Sequence, residues 1–200
     1  EDMIAEKVNV LDDRVKHLDE TVDLIIGDES TFKFLMTNEK DYEKPTAILK
    51  IIRRFRNICS SNSLIHGICL VDLQRQIVIT ESTKMTIEGN RYDRYQGQNS
   101  FVVTDDGEER KLEFVKRFEP IRGKKVVYMI LTVDEEAFTS NLLVGKESEM
   151  LKSCLMTRQG DVLTADGLDE CAPALQKELQ GLEKGTEKFE TSGQKLVLYK

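Results

Sequence analysis

The chain has 200 residues, 36 of them acidic and 29 basic, with a formal net charge of −7, 40% hydrophobic and 32% charged side chains. That balance is the one of a folded globular chain with one larger or two smaller domains, and it opposes long-range attraction to nucleic-acid phosphates or anionic lipid surfaces. No run reaches the roughly 18 apolar residues of a membrane-crossing helix, and no basic stretch followed by an apolar run opens the chain.

Ile4, Val8, Leu11, Val15, Leu18, Val22 and Ile25 recur at alternating spacings of four and three, which predicts one long helix with a narrow apolar seam. Such a helix lies against the domain behind it, pairs with a second copy, or does both. The expectation is that Ile4 to Val15 pairs with a second copy in a homodimer while the later half packs on the domain. The helix ends near Gly27, where Gly-Asp-Glu-Ser supplies a break and a new start signal. A mixed segment, Thr31 to Lys44, leads to Pro45, which opens a second helix. Its apolar face is Ile48, Ile51, Ile52, Phe55, Ile58 and Cys59, with Lys50, Arg53, Arg54 and Arg56 opposite. The arginines form either a solvated face or a small anion patch. Ser60-Ser61-Asn62-Ser63 stops this helix.

From Leu64 the period changes. Leu64 to Val71 is apolar on both faces apart from His66, and the run Ile77-Val78-Ile79 follows a polar turn, so the two form a hairpin. Residues 82–98 are polar, with Gly89 and Gly97, and suit short helices or loops. Three further strands follow: Phe101 to Thr104, Lys111 to Glu119, and Val126 to Val133. Leu64–Val71 and Val126–Val133 are apolar on both sides, as central strands are, whereas Lys111–Glu119 alternates Leu112, Phe114 and Phe118 against Glu113, Arg117 and Glu119. The first and last strands therefore neighbour each other in an antiparallel sheet of spatial order 2-1-5-4-3. That is a PAS-like layout with an insert after its second strand.

The stretch from Cys69 to Thr80 resembles the one from Cys154 to Thr164, strand, polar turn, strand in each case. Each is followed by a polar or helical stretch (82–98 and 167–184) and then by another strand pair (Phe101 to Glu119, and Lys188 to Tyr199). A recurring order of elements marks an internal repeat. The fold class is therefore α+β: a long N-terminal helix and two tandem PAS-like units, the second smaller and lacking its last strand, joined by a helix from Asp134 to about Val144.

The four cysteines, Cys59, Cys69, Cys154 and Cys171, include no CxxC pair, and His17 and His66 are far apart, so zinc spacing is absent and no metal or cofactor is expected. The even count permits Cys59–Cys69 and Cys154–Cys171 disulfides; small buried hydrophobes are the other reading. No phosphate loop, GxGxxG, nucleophile motif or calcium loop is present, so no catalytic residue is named and no enzymatic activity is expected.

The order of elements, with the stretches LIHGICLVDLQRQIVITES, VVYMILTVDEEAFTSNLL, CLMTRQGDVLTADG and KFETSGQKLVLYK, is similar to that of a double CACHE sensor domain, over nearly the whole chain. The resemblance implies an extracytoplasmic sensory module of a bacterial membrane signalling protein: a histidine kinase, chemoreceptor, cyclic-dinucleotide enzyme or transcription regulator. It implies a spine helix over 1–27, a membrane-distal unit over 28–134 that holds a small ligand between sheet and insert, and a membrane-proximal unit over 135–200. The chain starts within a helical pattern and stops directly after a strand-like run, so a membrane-anchored parent is expected. Amino-acid-binding members carry an Arg and Trp-Tyr motif, and this chain has no tryptophan, which disfavours an amino-acid ligand.

The insert Arg91-Tyr92-Asp93-Arg94-Tyr95 is the pocket candidate, because guanidinium groups grip carboxylates bidentately and tyrosines offer an apolar ring with a polar tip. A polar surface loop pinned by its tyrosines is the plainer alternative. Arg117 and Tyr128 on the sheet complete the candidate ligand-binding set; cross-strand pairing of Arg117 with Glu113 or Glu119 would also account for that residue. Two other classes stay open: a ligand-free interaction and dimerisation module, and a cytoplasmic PAS- or GAF-like module.

Overall fold

The computed structural model describes residues 2–36, 45–105, 109–121, 125–142, 154–157, 161–165, 186–191 and 194–199. They fall into two compact units, Arg14–Phe138, and Glu1–Asp13 with Thr139–Lys200.

Helix α1 (Asp2–Ile26) follows the seam expected for it. Leu18, Val22 and Ile25 are fully buried, Val8, Leu11 and Val15 half-buried, and Leu24 exposed. Full burial of each such side chain stabilises the fold by about 1.5–3 kcal/mol, so the later half of the helix is held by its packing. The segment after Gly27 contains a second helix that the sequence pattern did not single out, α2 (Glu29–Met36). Asp28 caps it, its Oδ1 accepting the N–H groups of Ser30 at 3.0 Å and Thr31 at 3.2 Å. Eight residues carry barely two turns of periodicity, too few to stand out. Helix α3 (Pro45–Ser61) buries Ile48, Ile51, Ile52 and Phe55 and leaves Arg53, Arg54 and Arg56 exposed.

The sheet has the strand order β3-β2-β1-β6-β5-β4, all antiparallel: β1 (Ile65–Asp72), β2 (Ile77–Thr80), β3 (Lys84–Thr86), β4 (Phe101–Asp105), β5 (Arg110–Ile121) and β6 (Lys125–Val133). This is the expected order with one short edge strand, β3, added from the insert. The rest of the insert holds a single 3₁₀ turn, Asp93–Tyr95, in place of a longer helix.

Strand alternation gives the sheet two working faces. One carries Ile68, Leu70, Ile79, Met129, Leu131 and Leu112, buried on the helical side. There Lys125 Nζ lies 2.9 Å from Asp72 Oδ2 and donates to Leu35 O at 3.1 Å, while Arg75 Nη1 donates to Phe34 O at 3.1 Å. Both cations also sit over the Phe34 ring. This buried cluster fastens α2 to the sheet. Burial lowers the Lys125 pKa, opposed by its bond and attraction to Asp72. Lys116, on the same face, pairs with Asp19 and Asp23 of α1. The other face carries Val71, Val78, Val115, Tyr128 and Ile130, covered by Ile87 and Tyr95 of the insert.

One sequence expectation is corrected. Helix α4 spans only Glu135–Thr139 and does not reach Val144, because the chain turns at Asn141, whose φ of 58° is left-handed and incompatible with a continuing helix. Of the two readings open for Cys59 and Cys69, the structure has the free thiols: Cys69 packs on the insert face, and Cys59 belongs to α3, which packs on the helical side of β1 and β2. The Cys154–Cys171 pairing lies outside the described residues, as do 167–184 and the side chain of Ile4.

In the second unit two antiparallel hairpins stand where the repeat placed them, β7 (Cys154–Met156) with β8 (Val162–Ala165), and β9 (Thr186–Thr191) with β10 (Gln194–Tyr199). In the first, Thr157 Oγ1 donates to Asp161 Oδ2 at 3.0 Å and accepts the Asp161 N–H at 3.1 Å.

Candidate functional site

The insert is held to the sheet at both ends. Ile87 N–H donates to Gln76 O at 2.9 Å, and Gly97 N–H donates to the Tyr128 hydroxyl at 3.3 Å. Gly97 has a φ of 78°, a conformation that costs an L side chain about 1–2 kcal/mol, so glycine suits this turn. Between these anchors Tyr95 is buried in the apolar cluster and Tyr92 packs against its edge, their rings 6.1 Å apart.

Beside this plug, between the insert and the ends of β1, β5 and β6, lies a cleft of about 460 Å³. Its lining includes three carboxylates (Glu81, Glu109, Glu113), three cations (Arg91, Arg94, Lys111) and the His66 ring. Hydroxyls come from Thr80, Ser82, Thr83, Thr104 and Thr132, and the two tyrosines complete one wall. Arg91 stands over the Tyr92 ring at 5.9 Å and Arg94 over the Tyr95 ring at 5.6 Å, both guanidinium groups in solvent reach. Lys111 pairs with Glu109 at 3.1 Å. The Tyr95 hydroxyl donates to Glu113 Oε2 at 2.7 Å. Burial, then the Glu113 charge and this hydrogen bond, raise the Tyr95 pKa, so the phenol stays a donor.

Of the six residues singled out from sequence, Arg91, Tyr92, Arg94 and Tyr95 line the cleft together. Arg117 and Tyr128 share the sheet face and are direct cross-strand neighbours, but they do not line it. Arg117 bonds Glu119, and its N–H donates to Asn99 Oδ1 at 3.0 Å; the Tyr128 ring belongs to the apolar plug. Among the lining residues that sequence reasoning passed over are Glu81, Glu113, Thr132 and His66. Glu113 had one signal, its place on the polar side of an alternating strand; the others needed strand register. The lining can hold a small polar molecule through ion pairs and hydrogen bonds. Among the described residues no group of three or more His, Cys, Asp or Glu side chains could hold a metal ion.

No protein-family model matches the chain, and no curated protein matches it in sequence. Solved structures do share its fold. The extracellular domain named for the histidine kinase vpHK1S-Z8 is 12% identical, with a TM-score of 0.60 over 96% of this chain and 83% of that one. The sensory domain of the Campylobacter jejuni chemoreceptor Tlp3, with isoleucine bound, is 10% identical, with a TM-score of 0.57 over 98% and 83%. The extracellular domain named for the histidine kinase rpHK1S-Z16 is 15% identical, with a TM-score of 0.55 over 98% and 86%. The α+β fold, a long N-terminal helix with an antiparallel sheet, is thus that of extracellular sensor domains of histidine kinases and chemoreceptors.

Proposed function

We propose that the chain is the extracytoplasmic sensory domain of a bacterial transmembrane signalling protein and that it binds a small ligand in the cleft under its insert. The observation that carries this reading is the cleft itself: about 460 Å³, lined by three carboxylates and three cations, in a fold shared with sensory domains. A site of that size and polarity suits a metabolite held by a few placed groups, with Arg91, Arg94, Tyr92 and Tyr95 as the contacts from the insert. Arg117 and Tyr128 support the insert's footing from the sheet.

The full arrangement is a double CACHE one, with a spine helix over 1–27, a ligand-holding unit over 28–134 and a membrane-proximal unit over 135–200. The hairpins β7–β8 and β9–β10 support it by repeating the order of the first unit. Binding that favours one of two arrangements of α1 would be the signal, and a homodimer through α1 would carry it. The absent tryptophan counts against the amino-acid mode of the family, although the Tlp3 domain is named with isoleucine bound. The role is recognition rather than catalysis.

The test is a thermal-shift screen of small metabolites against the chain and against an Arg94→Ala, Tyr95→Phe variant. A compound that raises the melting midpoint of the first and not of the second supports the site. Equal shifts in both place the ligand elsewhere. One observation favours a second reading, a cytoplasmic PAS- or GAF-like module: the free thiols of Cys59 and Cys69. A periplasmic reporter fused to the full-length protein decides between the two.

A further inference from the structure

The floor of the cleft is a row of positions on adjacent strands. Glu113 on β5 is in register with Thr132 on β6, and Thr132 with Gly67 on β1. Glu81, just after β2, reaches back so that its Oε2 accepts the Ile68 N–H at 3.2 Å. Gly67 keeps the ground between them open: a Cβ there would come within 3.3 Å of Thr132 Oγ1 and 3.8 Å of Glu81 Oε2.

Glu113 is only 7% exposed. Its Oε2 is held by Tyr95, and Oε1 has no hydrogen-bond partner among the described residues. No lysine, arginine or histidine nitrogen of the described residues stands within 4.0 Å of the Glu113 carboxylate, nor of the Glu81 carboxylate. The cleft's cations are elsewhere: Arg91 and Arg94 stack on the tyrosines at the exposed edge, and Lys111 is paired with Glu109. A carboxylate taken out of water without a countercharge is expensive, and one that opens into a cleft is compensated most directly by a cation brought there.

We infer that the ligand of this cleft carries a primary ammonium group, seated over Gly67 against Glu113 and the Thr132 hydroxyl, with Glu81 on its other side. The inference rests on the reading that the cleft is a ligand site. An ammonium is compact and has three donors, which match Glu113 Oε1, Thr132 Oγ1 and the Glu81 carboxylate. The guanidinium groups of Arg91 and Arg94 then face whatever anionic group the same molecule carries, so a simple amine and a zwitterion are both accommodated at the floor.

The test uses the full chain and three probes of equal length at millimolar concentration: butylamine, 4-aminobutanoate and butanoate. Butylamine and 4-aminobutanoate are expected to raise the melting midpoint and to shift the Glu113 side-chain carboxyl resonance in carbon NMR, which butanoate leaves in place. Glu113→Gln keeps an acceptor for Tyr95 and is expected to weaken both amines at least about tenfold, the loss of a charge-assisted contact; Glu81→Gln serves if that variant does not fold. Arg91→Ala is expected to weaken 4-aminobutanoate alone, whereas equal weakening of butylamine would overturn the assignment of the floor. Amine binding indifferent to both glutamate variants, or binding of butanoate alone, overturns the ammonium assignment while leaving the cleft a ligand site. Silence of all three probes also overturns it. The cleft reading itself falls only if the thermal-shift screen of small metabolites gives no shift that depends on Arg94 and Tyr95.

Discussion

His66 Nε2 lies 2.9 Å from Asp134 Oδ2, while Asp134 Oδ1 accepts the Ala137 N–H at 2.8 Å, so one carboxylate joins the start of β1 to the first turn of α4. His66 also lines the cleft. The cleft wall and the helix that leaves the sheet are thus two bonds apart, and α4 continues to Phe138, whose carbonyl accepts from Arg14 of α1.

Asp134→Ala removes the cap of α4 and the His66 contact together. The cap is worth about 0.5–2 kcal/mol. The His66 contact adds less, because the His66 side chain is largely exposed and surface pairs contribute little. Urea denaturation is expected to show a loss of about 1 kcal/mol for alanine and a smaller loss for asparagine, which can still accept the Ala137 N–H. Equal losses would mean that the cap does not hold this turn.

Lys125→Met removes the nearer of the two cations on the fully buried Asp72, whose Oδ2 keeps only the Arg75 guanidinium at 3.6 Å. Breaking a buried pair from one side costs about 3–5 kcal/mol, far more than the methylene contacts that methionine keeps. The same denaturation experiment on the Asp72→Asn, Lys125→Met double variant is expected to recover part of the loss. No recovery would show that packing on Phe34, rather than charge, dominates the site.

Alkaline pH tests the tie between β5 and α1. Desolvation pulls the Lys116 pKa down, but the hydrogen bond and charge of Asp19, with Asp23, outweigh it and leave it above the ordinary 10.5. The folded state binds this proton more tightly than the unfolded one. Its contribution is therefore full below about pH 10.5 and lost as pH rises through the raised value. The melting midpoints of the protein and of Lys116→Met are expected to differ at pH near 9 and to converge at the alkaline end. A constant difference would assign the effect to the lysine stem.

The thiols report on burial. Burial, then the nearby Glu81 charge, pushes the Cys59 pKa up to about 11, and burial likewise raises that of Cys69. Because the thiolate is the reactive form, alkylation of both near pH 8 is expected to be slow in the folded protein and fast in denaturant. Fast labelling of the folded protein would contradict the packing of α3 on the sheet and of the insert on Cys69.

Gly97→Ala is expected to cost about 1–2 kcal/mol, since its left-handed backbone then carries a Cβ. No atom lies within 4 Å of that Cβ, so the cost is conformational rather than steric. Denaturation midpoints measure it. An unchanged midpoint would show that the turn can relax without the insert losing its footing on Tyr128.

Much of the fold was legible because its determinants are local. The four-three spacing from Val8 to Ile25, the apolar faces of Leu64–Val71 and Val126–Val133, and the alternation of Lys111–Glu119 each express a backbone period, and a period is visible in a short window. Helix α2 escaped because eight residues show too few turns, and the expected α4 is too long because Leu142, Leu143 and Val144 extend an apolar pattern past the left-handed Asn141. Half of the site was legible in the same local way, since Arg91, Tyr92, Arg94 and Tyr95 are contiguous.

The other half was not. Glu113, Thr132, Gly67 and Glu81 span 66 positions between first and last, Gly67 and Thr132 being cross-strand partners, and nothing local in the sequence brings the four together. The sequence by itself determined which segments become helix and strand, which strands are central, and that the insert is rich in arginine and tyrosine. Only the tertiary structure decided that Arg117 and Tyr128 stand apart from the cleft and that Cys59 and Cys69 face opposite sides of the sheet. It alone placed a buried carboxylate without a countercharge at the cleft floor. Those facts depend on strand register and on which face each helix covers, and both are set by the summed packing of residues far apart in the chain.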